Sequence, residues 1–74
     1  KKLSECKINE TVILTSVTIS TDDFLNYLNQ RNLALGAEIL IKNIEKFDGS
    51  MQIEFSDRTE VLSKMVCEKL LVKK

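Results

Sequence analysis

Two short runs of alternating apolar and polar residues flank an Asp-Gly pair. "AEILIKNIEK" (37–46) precedes "FDGS" (47–50), and "MQIEF" (51–55) follows it. Alternation with period two marks a half-buried strand, because successive side chains point to opposite faces. Asp-Gly between two such runs is the strongest short-range hairpin signal, since glycine accepts the positive φ that tight turns need. A chain of 74 residues with such a hairpin at its centre is restricted to a small, mostly β domain with a thin core.

The rest of the chain fits that frame. Thr11–Ile19 ("TVILTSVTI") is almost all β-branched or aliphatic and reads as a first strand. Ahead of it, "SECKINE" (4–10) is polar and reads as a turn, with Asn9 able to take positive φ. After Ile19 the period changes. Phe24, Leu25 and Leu28 share a helical stripe that Tyr27 and Arg31 continue. Asn32 can end that helix in the left-handed conformation, and "LALG" (33–36) is a tight connection closed by Gly36. "SDRT" (56–59) is a second turn, Glu60–Leu62 a short strand, Ser63 the cap of a helical turn "SKMVCEKL", and "LLVK" a last strand. Five short strands with one helix between the first two predict a small five-stranded barrel with one apolar interior. The expected core is Val12, Leu14, Val17, Phe24, Leu28, Leu35, Ile39, Ile41, Ile53, Phe55, Val66 and Val72.

Charge and composition exclude several functions. Eleven basic and eleven acidic residues cancel, so the clustered positive charge that grips phosphates is missing. There is no His, which removes the usual zinc patterns and every Cys–His or Ser–His catalytic pair. No acid is set against a base or nucleophile, so the chain does not read as an enzyme. The two cysteines are too few for a disulfide framework. They read as reduced thiols of a cytoplasmic protein, with Cys67 buried and Cys6 more exposed; the two could meet if the fold brings the chain ends together. No apolar run approaches the length of a membrane span.

One stretch has two open readings. In "ISTDDF" (19–24), Ser20 and Asp23 are three apart just before the helix. Ser followed by an acid three residues later suits a capping box. The same spacing at a helix start would put two oxygens on one side, where Asp23 is a hard donor and Ser20 a poor one. Tyr27 and Arg31, four apart, could form a contact patch for a partner.

The order "FLNYLNQRNLALGAEILI", then "FDGSMQIEF", then "LSKMVCEKLLV" resembles the FeoA-like, SH3-like barrel. The shared marks are the short helix, Leu33, Leu35 and Gly36 leading into a strand, the hairpin, and the closing "LL-V". This domain occurs as the free-standing FeoA protein and as the C-terminal domain of DtxR/MntR-family metal-dependent transcriptional repressors. "LSEC", "INE" and "LSKMVCEKLLV" look more like the repressor branch. The first residue, Lys1, is not Met, which fits an expected fragment of a longer repressor. The resemblance implies a regulatory domain that works through protein contacts with the metal-binding, dimerisation and DNA-binding domains of its parent chain. DNA would be reached only through those domains. In some relatives an acidic residue and an amide before a helix-starting Phe serve an ancillary metal site; these positions match Ser20 and Asp23, with Phe24 as the Phe. Fe²⁺ or Mn²⁺ would then act in the full-length protein, with no tight binding to this chain alone. Self-association of the fragment is left open. The alternative implied is a FeoA-type accessory of ferrous iron transport.

Overall fold

The computed structural model describes residues 1–74. Five antiparallel strands form one sheet: β1 (Thr11–Val17), β2 (Glu38–Ile44), β3 (Met51–Phe55), β4 (Arg58–Leu62) and β5 (Leu70–Lys73), in the order β4-β3-β2-β1-β5. Helix α1 (Asp22–Gln30) lies between β1 and β2, and the six-residue α2 (Lys64–Lys69) joins β4 to β5. The element order matches the expectation, with one addition: a 3-10 turn over Leu3–Glu5. No helix is long and apolar enough to cross a membrane.

Two β-bulges let so short a sheet wrap around one core. In β1, Leu14 pairs with Val72 but Ser16 with Leu71, leaving Thr15 as an extra residue. In β2, Ile41 pairs with Ile53 but Asn43 with Gln52, leaving Lys42 extra. An extra residue bends its strand and shifts which side chains face inward. The core positions follow that shift. Val12 and Leu14 are buried, and the next inward residue is Val17, three further on. Ile39 and Ile41 are buried, and Ile44 follows at the same interval. The hydroxyl of Thr15 donates to the Leu71 carbonyl at 3.0 Å, which ties the first bulge to β5.

The sheet curls in the SH3-like manner, but its hydrogen-bonded ladder does not close. β4 and β5 are not neighbours, and α2 spans the gap between them. Closure, which removes strand edges, is therefore incomplete.

Both hairpins form, with different chemistry from strand to strand. The β2–β3 ladder ends at Ile44 and Met51, so the Asp-Gly pair sits inside a six-residue loop rather than a two-residue turn. Glu45 N–H donates to the Ser50 carbonyl at 2.8 Å, and Asp48 accepts from the Ser50 backbone and hydroxyl at 2.9 and 2.8 Å. Those bonds hold the Asp48 carboxyl below its ordinary pKa. Gly49 takes φ +76, and a Cβ there would meet the Lys64 side chain at 2.8 Å, so the loop rests against the start of α2. The tight turn is at the other hairpin: Phe55 faces Arg58 across Ser56 and Asp57, with φ of 51 and 63. Two central residues at positive φ define a type I′ turn, normally the place of Asn-Gly.

The core differs from the expected set in three ways. Leu35 is exposed (64%), and Leu33 is buried in its place. Leu3, Cys6, Met51, Leu62, Cys67 and Leu70 are also buried. Val17, Phe24 and Val66 pack against the core from half-buried positions. The Leu33 burial follows from how α1 ends. Asn32 is left-handed, as expected, with φ 56. Leu33 N–H donates to the Leu28 carbonyl and Asn32 N–H to Asn29, both at 3.0 Å. This is a Schellman motif, whose first residue past the turn packs on the helix; here that pair is Leu33 and Leu28.

The N-terminal segment is tied down by charge. Glu10 accepts from Lys7 N–H at 2.9 Å and pairs with Lys1 Nζ at 3.1 Å and Lys74 Nζ at 3.2 Å. The Lys7 amide, then the Lys1 and Lys74 ammonium groups, lower its pKa to about 2. Asn9 takes φ 71, as expected, and donates to Ile41 at 2.7 Å.

Two outcomes follow. Replacing Ser56 by Asn and Asp57 by Gly suits the type I′ turn better, and the double variant is expected to gain about 1 kcal/mol and melt roughly 4–8 °C higher in calorimetry. Glu10 is depressed in the folded state, so its stabilisation is present above the ordinary carboxylate range of about 4.3 and is lost as pH falls towards about 2. In Glu10→Gln, acid titration followed by circular dichroism is expected to lose that component of the pH dependence.

Candidate functional site

The start of α1 is where the sequence placed its candidate site. Thr21, not Ser20, is the N-cap: its backbone is extended, and its hydroxyl accepts from Phe24 N–H at 3.3 Å. The expected Ser20–Asp23 capping box does not form: the cap falls one residue later, and its N3 position is Phe24, which cannot complete a box. Helical geometry begins at Asp22, so Ser20 lies outside the helix and shares no helical face with Asp23. A second consequence is that Asp22 and Asp23 both fall in the first turn, where the positive end of the helix dipole favours carboxylates.

Asp23 borders a groove of about 360 Å³ between α1 and α2. Ile19, Phe24, Tyr27 and Val66 supply its apolar lining, and Asp23 and Lys69 its charges. Ser20 does not line it. Along α1, the rings of Phe24 and Tyr27 are parallel within 3° with centroids 6.4 Å apart. The Arg31 guanidinium carbon lies 3.7 Å from the centre of the Tyr27 ring, and Arg31 Nη1 donates to the Tyr27 carbonyl at 3.3 Å. The structure thus joins the two expected contact residues to each other. Arg31 Nε approaches Glu60 Oε1 at 3.9 Å, and Arg58 pairs with the other Glu60 oxygen at 3.3 Å. Phe24, Tyr27 and Arg31 form a half-buried strip whose far end approaches β4, where the buried Arg31 Nε has no hydrogen-bond partner. Leu28 is the one fully buried residue of α1, so the strip and the exposed side of the helix stay accessible.

As a metal centre the region is incomplete. The structure holds no group of three His, Cys, Asp or Glu side chains able to bind an ion. One exposed carboxylate with a neutral hydroxyl outside the helix does not amount to the six to eight oxygens a hard cation takes. The donor set of this chain does not fit a self-contained metal site.

The cysteines lie elsewhere. Both are free and buried, which corrects the expectation that Cys6 is exposed. The 3-10 turn places Leu3 and Cys6 three apart, where side chains line up, and it packs against α2, which carries Cys67. Burial pushes the Cys67 thiol up to about 12, and burial likewise raises Cys6. Protonated thiols are poor nucleophiles and poor metal ligands.

The cap makes a direct prediction. Thr21→Ala should cost about 1 kcal/mol by urea denaturation, while Ser20→Ala should change stability by less than about 0.5 kcal/mol. A larger loss in Ser20→Ala than in Thr21→Ala would return the cap to Ser20.

No curated protein sequence matches the chain at a significant level. Solved structures do. A manganese-dependent transcriptional repressor superposes with a TM-score of 0.92 at 15% identity, covering 100% of this chain and 41% of its own. The repressor ScaR with bound Cd²⁺ gives 0.88 at 25% identity, with 99% and 35% coverage. The FeoA protein from Chlorobium tepidum gives 0.86 at 19% identity, with 99% and 69% coverage. The chain spans less than half the length of the repressors it matches. The FeoA domain model matches residues 1–74, and with the SH3-like sheet, the inserted helix and these neighbours it establishes that the chain belongs to the FeoA domain family.

Proposed function

We propose that this chain is the regulatory domain of an iron- or manganese-dependent transcriptional repressor, acting in the cytoplasm by docking on other domains of its parent. The observation that carries this reading is the likeness to ScaR, described as a manganese-activated repressor, at 25% identity over 99% of the chain. Zero net charge supports a role away from DNA, with DNA reached through the parent's other domains. The docking surface in this reading is the Phe24–Tyr27–Arg31 strip beside the α1–α2 groove. Aromatic and arginine side chains are the residues that most often anchor protein interfaces, and the holding of Arg31 on the ring and carbonyl of Tyr27 lowers the entropy lost on docking.

Docking of this kind regulates only if the contacts differ between two states of the parent. Metal occupancy in the parent's own site would select the state, and the barrel would bias it by its differential contacts. In this reading Asp23, a hard oxygen donor, would add a ligand to an ancillary site shared with another domain, with Ser20 a weaker second. A rival reading is a FeoA-type accessory of ferrous iron transport, favoured by the FeoA protein from Chlorobium tepidum, 69% of whose length this chain covers.

The test starts from the reading frame upstream of Lys1. Where it encodes a helix-turn-helix region, isotope-labelled chain is titrated with that region, with and without Mn²⁺. Shifts should centre on Phe24, Tyr27 and Arg31; Arg31→Glu should weaken docking roughly tenfold or more; and Asp23→Ala should remove any Mn²⁺ dependence. Shifts centred elsewhere would overturn the docking face, and a start codon directly ahead of Lys1 would favour the transport accessory.

A further inference from the structure

The open ladder leaves one strand edge unpaired, and its chemistry suits a second copy of this chain. β4 pairs only with β3. The two-residue turn makes Phe55 and Arg58 a hydrogen-bonded pair, so Ile53–Glu60 and Met51–Leu62 are the next such pairs. The backbone groups of Arg58, Glu60 and Leu62 point towards β3. Those of Thr59 and Val61 point outward, and no backbone or side-chain partner meets them. Both residues are exposed, Val61 at 60%. The opposite edge of the sheet is treated differently. On β5, Val72 exchanges bonds with Lys1 at 2.7 and 3.0 Å, and Lys2 bridges Leu71.

We propose that two copies of the chain associate by antiparallel pairing of β4 with β4, on a two-fold axis through Glu60. This register sets Thr59 opposite Val61 of the second copy, twice. All four outward N–H and C=O groups on each strand then find partners. Neighbouring registers do not achieve this. Centring on Val61 would call on Ser63, whose carbonyl already accepts from Cys67 N–H at 3.0 Å inside α2. Centring on Thr59 would call on Asp57, which sits at φ 63 in the turn.

Side chains agree with the chosen register. Thr59 and Val61 are β-branched and share the outer face, a favourable cross-strand pair. At each end Asp57 of one copy falls opposite Ser63 of the other, the N-cap of α2, where the paired stretch stops. The two Glu60 carboxylates face each other at the centre, but each arrives with Arg58 at 3.3 Å and Arg31 at 3.9 Å to offset its charge. A single pair of five-residue strands buries little area, so the association is weak and concentration-dependent.

The 74-residue chain is examined by sedimentation equilibrium from micromolar to millimolar concentration, with amide hydrogen exchange on the same samples. The weight-average mass should climb towards twice the chain mass, and exchange should slow at Thr59 and Val61 specifically. Val61→Pro deletes an outward N–H that the fold itself does not use, and it should raise the dissociation constant about tenfold or more. Val61→Lys, which leaves the backbone intact, should do the same and covers the case in which the proline variant does not fold. A monomer at every concentration would overturn the proposal. So would undiminished association of both variants, or protection that rises with concentration at Phe47 or along Leu25 and Leu35 instead.

Discussion

Everything else in this domain depends on the extra residues in β1 and β2. Fifteen buried side chains are all the core there is, none of them polar. Strands of four to seven residues enclose that core only by bending sharply. The bulges at Thr15 and Lys42 supply the bend, and the shift in inward-facing positions from Leu14 to Val17 and from Ile41 to Ile44 is its consequence. Without them, strict alternation would turn the second half of each strand's apolar set to solvent. β1 then serves both sides of the sheet, pairing with β2 through Thr11–Ile13 and with β5 through Ile13–Val17.

Much of this was legible in the residues because local signals and tertiary demands agree. The β-branched run made β1, the alternating "MQIEF" made β3, Ser63 caps α2 through Val66 N–H, and Asn9 and Asn32 take the positive φ expected of them. What was missed has a common cause: it was decided by geometry between segments. Leu3 and Cys6 sit among polar neighbours, and only the 3-10 turn packed against α2 gives them an interior to face. Leu33 was hidden behind Leu35 because both are apolar and two apart; the Schellman bonds choose between them, and Asn32 was the available clue. The Asp-Gly pair indicated a hairpin correctly but not its loop length, since Asp48 closes its own turn on Ser50 and leaves Phe47 95% exposed. The tight type I′ turn went instead to Ser56-Asp57, residues that signal a turn without specifying its type.

The candidate site was legible in location more than in detail. Ser20, Thr21, Asp22 and Asp23 all favour a helix start, and composition does not rank neighbouring hydroxyls as caps. Selection is made by where β1 releases the chain: Thr18 N–H still bonds the Lys69 carbonyl at 2.9 Å, and the first helical turn forms three residues later around the Thr21 hydroxyl. That shift separates Ser20 from Asp23 in conformation and leaves Asp23 beside an apolar groove. The same helix start therefore separates the two residues of the expected metal pair and sets Asp23 at the margin of a groove lined by Phe24 and Tyr27.

The contrast between the two sheet edges bears on how such a domain works. At β5 the edge is occupied by the N-terminal residues, and Glu10 gathers Lys1 and Lys74 to the same place, so both chain ends are held together. At β4 the inner face carries Arg58 and Glu60, a charged pair that would resist burial under a foreign apolar strand. Yet Glu60 also receives Arg31 from the end of α1, which links the open edge to the Tyr27 strip through a single carboxylate. Arg31 itself is held chiefly by Tyr27, through the ring and the backbone carbonyl, and its buried Nε makes no hydrogen bond to Glu60. The open edge and the Tyr27 strip thus meet at one carboxylate, held at 3.3 Å by Arg58 and approached at 3.9 Å by Arg31.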